Sequence, residues 1–168
     1  MKGKLIAGGV LALAATVVAG FEGYIPYVYS DPVGIPTACY GHVMTAGDTR
    51  KAFTRGECDE LLKGDLAIAN AVVHSCIKAP MLPHQEAALT SFALNVGGGA
   101  KGVKDGLCVL KSGKPTTLRQ KANAGDWPGA CAELSKWTTA HGIPLRGLVK
   151  RRAAERALCE SHGPQSTP

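Results

Sequence analysis

The hydrophobic pattern of this chain changes character twice, and each change marks a new kind of element. From Leu5 to Phe21 there is no charged residue in 17 positions, an apolar run set between Lys2 and Lys4 on one side and Glu22 on the other. The next stretch, FEGYIPYVYSDPVGIPTACYGH from Phe21 to His42, carries two extended runs, Tyr24 to Tyr29 and Ile35 to Val43. They flank the turn signal Ser30-Asp31-Pro32-Val33-Gly34 and predict a small hairpin or sheet. Beyond it the period becomes helical. Thr54-Arg55-Gly56-Glu57 matches a capping box and opens a helix through CDELLKGDLAIANAVVH to about His74. Pro83 suits the first turn of a second helix, HQEAALTSFALNV, which Gly97-Gly98-Gly99 stops. Asp126 can cap a helix in WPGACAELSKWTTA, and GLVKRRAAERALC places Leu148, Arg152, Glu155 and Cys159 at helical spacing. The tail GPQSTP reads as loose. With no internal repeat and no linker, the pattern predicts one α+β domain, a small β-hairpin lobe joined to a larger helical lobe behind an N-terminal hydrophobic helix.

Composition narrows the function classes. A chain of 168 residues with 45% hydrophobic and 19% charged residues suits one compact core. Its formal charge of +6 favours an anionic partner such as nucleic acid, a membrane surface or a bacterial wall. Aromatic content of 5%, with no basic run interleaved with aromatics, argues against nucleic acid. The densest basic cluster, Lys150, Arg151, Arg152 and Arg156, reads as a solvated helix face. Six cysteines with no C-x-x-C pair argue against a zinc ribbon and for disulfides made in an oxidising compartment. Sequence leaves about 15 pairings open; the expectation taken here is nearest neighbours, Cys39 with Cys58, Cys76 with Cys108 and Cys131 with Cys159. Buried free thiols are the alternative.

Three side chains stand out as chemistry. A glycosidase needs one protonated carboxyl to donate to the leaving oxygen and one ionised carboxyl to act on water or sugar. Glu22, at the end of an apolar helix beside Phe21, is placed for desolvation to raise its pKa, while Asp31 in a polar turn should stay charged. The two converge only if the chain folds back through YIPYVYS. Read alone, Asp31 is as well explained as a turn residue and Glu22 as a helix boundary. GGGAKG lacks the ending of a phosphate loop, and His42, His74, His84, His141 and His162 show no metal-ligand spacing, so no cofactor and no metal are expected. His42 on its own reads as a structural hydrogen-bonding partner under the hairpin. Ser91 lacks a nucleophile-elbow context, and Trp127 and Trp137 read as core anchors.

The order Glu22-Gly23, Asp31, Gly34, Thr37 and Cys39-Tyr40-Gly41-His42 resembles the signature of the phage lysozyme family, glycoside hydrolases that cut bacterial peptidoglycan. SFALNVGGG, Ser91 to Gly99, is similar to the family's cleft-lining helix and Gly-rich turn, and Trp137 to Cys159 to its C-terminal helical region. The likeness covers nearly all of residues 20–160. It implies a lysozyme-like fold and hydrolysis, with inversion, of the β-1,4 bond between N-acetylmuramic acid and N-acetylglucosamine. It makes Glu22 the general acid, Asp31 the residue that positions and activates water, and Thr37 a residue that helps hold that water. It puts Asn95, Gly97 and His42 at the substrate. One departure is the extra glycine at Gly97 to Ala100, followed by Lys101 and Lys104.

In that family a helix leads directly into the catalytic glutamate, and here the same residues are the apolar run. The chain therefore resembles the signal-arrest-release endolysins of tailed phages or prophages. That resemblance implies residues 1–21 as a signal-anchor helix retained as the first helix of the enzyme, 22–160 as the catalytic domain and 161–168 as a flexible tail. The run is at the short end of the spanning range, and eight of its 17 residues are Gly or Ala, so it should hold a bilayer loosely. Expected partners are peptidoglycan, the host secretion machinery and, transiently through residues 5–21, the inner membrane. The protein would be a monomer acting in the periplasm after release, tethered beforehand with its N-terminus in the cytoplasm. No cysteine lies before Cys39, so no thiol switch is expected from the anchor. The competing readings are a lytic transglycosylase, a non-catalytic membrane-tethered wall-binding protein, and a secreted lysozyme cleaved after Val17-Val18-Ala19.

Overall fold

The computed structural model describes residues 2–31, 34–45, 50, 52–140 and 142–161, with side chains from residue 9 onward. Part of the expected turn, Pro32 and Val33, lies outside the described residues, as do His141, His162 and the tail from 162. Among the described residues the order is α1 (Lys2–Glu22), β1 (Ile25–Ser30), β2 (Pro36–Cys39), β3 (His42–Val43), α2 (Arg55–Cys76) and α3 (Pro83–Val96). Then follow α4 (Thr117–Asn123), α5 (Trp127–Glu133) with a 3-10 turn at Leu134–Lys136, β4 (Thr139–Ala140), β5 (Ile143–Pro144) and α6 (Arg146–Glu160). β1, β2 and β3 form one antiparallel sheet, and β4 pairs with β5.

The helical lobe is built around α3. Its apolar and small residues face every direction, and Ala87, Ala88, Leu89, Phe92 and Ala93 are all buried, as a helix covered on all sides requires. It packs against α1, α2 and α6. The capping box at the start of α2 forms: the Thr54 hydroxyl accepts from the Glu57 N–H at 3.3 Å, and Glu57 accepts from the Thr54 N–H at 2.8 Å. Behind it, Cys58, Leu62, Leu66, Ala69, Val73 and Cys76 make one buried stripe. α1 is seated in this body by Val10, Ala14 and Val18, one turn apart and buried against a core that includes Ala38, Phe53, Leu62 and Leu66.

Three disulfides brace this body: Cys39–Cys58 ties β2 to α2 and so joins the two lobes, while Cys76–Cys108, from α2 to the long loop after α3, and Cys131–Cys159, from α5 to α6, lie within the helical lobe. Converting any one pair to Ser is expected to cost about 3–4 kcal/mol through loop-closure entropy, read as a lowered Tm under oxidising conditions.

The structure departs from expectation in α5, which stops at Glu133 instead of running through WTTA. Trp137 leaves the helical path to pack edge-on against Phe92, ring centroids 5.2 Å apart, and the β-branched Thr138 and Thr139 lead into β4. Glu133 is buried here beside Lys121 Nζ at 2.7 Å and Lys136 Nζ at 2.9 Å. Burial works to raise its pKa, and the two lysines more than offset this, leaving it below the usual 4.5. A carboxyl lowered on folding stabilises above its unfolded pKa and loses that contribution as pH falls through the lower folded value. Glu133→Gln should therefore cost about 1–2 kcal/mol at pH 7, and the gap from wild type should close as denaturation curves are taken below pH 4.5.

A further correction concerns α6. Lys150 is exposed and Arg156 partly so, but Arg151 and Arg152 are 4% and 1% exposed, so these two leave the solvated face. The reason is a partner on their own helix, the fully buried Glu155.

Candidate active site

The site begins where α1 ends. Gly23 follows Glu22 with φ +64°, a left-handed conformation that stops the helix and turns the chain into β1. The Glu22 carboxylate is held from two sides. Arg151 Nη1 donates to its Oε1, and the β2–β3 turn passes its Oε2 so closely that a Cβ on Gly41 would sit 3.2 Å away. Gly41 has φ +86° and the preceding Cys39 φ +60°, a region costly for a non-glycine residue. The Cys39–Cys58 disulfide fixes that turn on α2. The neighbour that the fold gives the Glu22 carboxylate is an arginine, and Phe21 beside it is 38% exposed.

Asp31 lies past the end of β1, where its Oδ1 accepts from the Ile35 N–H at 2.8 Å and its own N–H donates to the Ile35 carbonyl at 2.9 Å. Thr37 is buried on β2 and donates its hydroxyl to the Ile35 carbonyl at 3.0 Å. Across the sheet, Tyr29 pairs in register with Thr37. Burial raises the Tyr29 phenol, and the charges of Glu22 and Asp31 raise it further. Most of YIPYVYS is the extended strand β1, which leads from the turn at Gly23 to Asp31. Tyr29 was not singled out by sequence reasoning; the period-2 alternation that puts it on the same side as Asp31 was the available signal.

Arg151 was also missed. Its Nε donates to Glu155 Oε1 at 3.1 Å, an i,i+4 pair, and Ser91 on α3 donates to the same oxygen at 2.8 Å. Arg152 lies over the Phe92 ring at 4.7 Å and 3.0 Å from Glu155 Oε2, an ion pair without hydrogen-bond alignment. Burial pushes Arg152 down to about 10 despite the Glu155 charge, and burial pushes Glu155 up. The network links α3, α6 and the last residue of α1.

A groove of about 310 Å³ lies beside this centre, floored by Val43, Ile68, Val72 and Leu94, with Gly41 and Gly97 among its walls. Gly97 thus lines the groove. His42 bonds through Nδ1 to Asp65 Oδ2 at 2.8 Å, pinning β3 to α2, and Asp65 rather than His42 faces the groove. Asn95 is exposed, its Oδ1 accepting from Arg152 Nη2 at 2.8 Å, and it does not line the groove. Among the described residues no cluster of three or more His, Cys, Asp or Glu is placed to hold a metal.

Comparison with known proteins places this arrangement. A family model described as phage lysozyme matches residues 19–155. A SAR-endolysin of Bacteriophage PS119 is 35% identical over 160 residues, covering 92% of this chain and 89% of its own. A SAR-endolysin of Enterobacteria phage P21 is 35% identical over 162 residues, covering 92% and 90%. The crystal structure of the active form of P1 phage endolysin Lyz superposes with a TM-score of 0.74 at 25% identity, covering 88% of this chain and 82% of that one. The fold is lysozyme-like, and a match of this extent means that the chain belongs to the phage lysozyme family.

Proposed function

We propose that this protein is an N-acetylmuramidase of phage host lysis that hydrolyses the β-1,4 bond between N-acetylmuramic acid and N-acetylglucosamine, with Glu22 as general acid. The observation that carries the reading is the carboxylate of Glu22, fixed between Arg151 and Gly41, which itself lines the groove. Glu22 gives its proton to the leaving glycosidic oxygen. Water adds to the muramic C1 from the other face and loses its proton to Asp31. The Ile35 N–H orients Asp31 for this. Thr37 spends its proton on the Ile35 carbonyl, so its hydroxyl oxygen is left as an acceptor for that water. Gly97 and the Asp65–His42 pair shape the sugar groove, and Asn95 acts through Arg152.

Asp31→Asn separates this reading from a transglycosylase, which needs no water-activating carboxylate. Turbidity loss of purified peptidoglycan should slow by about 10²-fold or more; an unchanged rate would favour the transglycosylase.

We also read residues 1–21 as a signal-anchor helix that remains part of the enzyme, 22–160 as the catalytic domain and 161–168 as a tail. The relatives from Bacteriophage PS119 and Enterobacteria phage P21 carry the name SAR-endolysin, and α1 ends on Glu22. Among the described residues no helix is long and apolar enough to cross a membrane, so the anchor role rests on the run from Leu5 and on the relatives. Two environments compete for α1. In a bilayer Glu22 is kept from Arg151; in water Val10, Ala14 and Val18 draw the helix onto α3 and carry Glu22 to its partner. The N-terminal sequence of the active periplasmic protein tests this. A start at Gly20 would remove α1 and contradict it.

A further inference from the structure

An unused cation lies against Gly97, one of the residues that line the groove. Gly97 closes α3 with φ +72°, and a Cβ placed there would meet Lys104 Nζ at 3.2 Å, so the ammonium occupies the space that any other residue would fill. Lys104 is folded back to this point by a tight turn, in which the Ala100 N–H donates to the Lys104 carbonyl at 2.9 Å and the Lys104 N–H to the Ala100 carbonyl at 3.1 Å. The turn rests on a fixed base: Leu107 N–H bonds the Gly97 carbonyl at 2.8 Å, Cys108 N–H the Gly98 carbonyl at 2.9 Å, and Cys108 is disulfide-bonded to α2. The same loop exposes Lys101, Lys111 and Lys114. Its one acid, Asp105, is engaged by the Lys111 N–H at 2.6 Å. Among the described residues no carboxylate pairs with Lys104.

One groove thus has Glu22 behind Gly41 and an ammonium over Gly97. Between them the floor is apolar, fit for sugar faces and offering no anion to neutralise the lysine except Asp65, which is bonded to His42. We propose that Lys104, supported by the field of its neighbouring lysines, binds a carboxylate carried by the muramic residues of the glycan strand. This rests on the groove being the glycan cleft. On the intact strand that carboxylate belongs to the stem peptide, since the lactyl carboxyl is taken up in the amide bond to the stem.

The test compares wild type, Lys104→Gln and Lys104→Arg on three substrates: intact peptidoglycan, peptidoglycan stripped of stems by an amidase, and peptidoglycan whose carboxyls have been converted to amides. On the intact substrate Lys104→Gln is expected to raise KM about threefold to fivefold with kcat held. The difference should shrink at high ionic strength, and Lys104→Arg should restore KM. On amidated substrate the variants should match wild type. A penalty that vanishes on stripped glycan shows that only the stem carboxylates reach Lys104; one that persists there shows that the lactyl carboxylate freed by the amidase takes the same place. An unchanged KM on intact substrate, or an equal penalty on amidated substrate, overturns the proposal while leaving the hydrolase reading intact. Failure of wild type to cleave any of the three overturns both. Equal melting temperatures would show that the exposed substitution leaves the fold unaltered.

Discussion

Glu22→Gln is expected to lower the rate of peptidoglycan hydrolysis by about 10²–10⁴-fold, the contribution of a positioned proton donor, and to leave the fold in place. The amide keeps the size and shape of the side chain beside the Gly41 turn. It also keeps an oxygen for Arg151 Nη1 to donate to. What it loses is the transferable proton, and nothing else near the groove replaces it: Asp65 is committed to His42 and Glu155 is fully buried in the core. The loss should therefore fall on kcat. Binding of the variant to peptidoglycan should equal that of wild type, and its melting temperature should lie close to it. A variant that retained activity would mean that another group is the proton donor.

The second large effect is expected at Glu155, which never meets substrate. Its Oε1 receives Ser91 and Arg151, and its Oε2 lies 3.0 Å from Arg152, with all four groups buried. Glu155→Leu would leave two guanidinium groups in the core without their counter-charge, a loss of about 3–5 kcal/mol for a broken buried pair. Circular dichroism melts would read the stability. Activity at a temperature well below the melt would read the second consequence, because Arg151 loses the contact that holds its guanidinium toward Glu22. If Arg151 is a positioning residue, folded Glu155→Leu should lose kcat with KM little changed. Arg151→Lys should do the same with a smaller loss of stability, since it keeps the charge but not the fork that reaches both Glu155 and Glu22. A purely structural role would lower the melt and leave kcat of the folded fraction at the wild-type value.

What could be read from sequence was local. The capping box Thr54 to Glu57, Pro83 in the first turn of α3 and the Gly97 stop lie within a few residues of the groups they organise, and each formed. The order Glu22, Asp31, Thr37 and Gly41-His42 was legible because a hairpin brings near neighbours in sequence together. What misled was long-range burial. Arg151 meets Glu22 across 129 positions, and charge alone gave it to solvent. Asn95, which the family resemblance puts at the substrate, meets another residue of that same buried face of α6, accepting from Arg152 through its carbonyl oxygen. α4 was overlooked because seven residues capped by Thr116 show two buried positions, Leu118 and Ala122, too few to display a period.

The central claim is that water, directed by two carboxylates, cleaves the glycosidic bond. Mass spectrometry of the soluble fragments released from purified peptidoglycan by the wild-type enzyme tests it most directly. Muropeptides with a reducing N-acetylmuramic acid end, heavier by one water than the uncut linkage supplies, are the predicted products. Fragments ending in 1,6-anhydro-N-acetylmuramic acid would mean that the muramic hydroxyl, not water, had attacked, and would contradict the account.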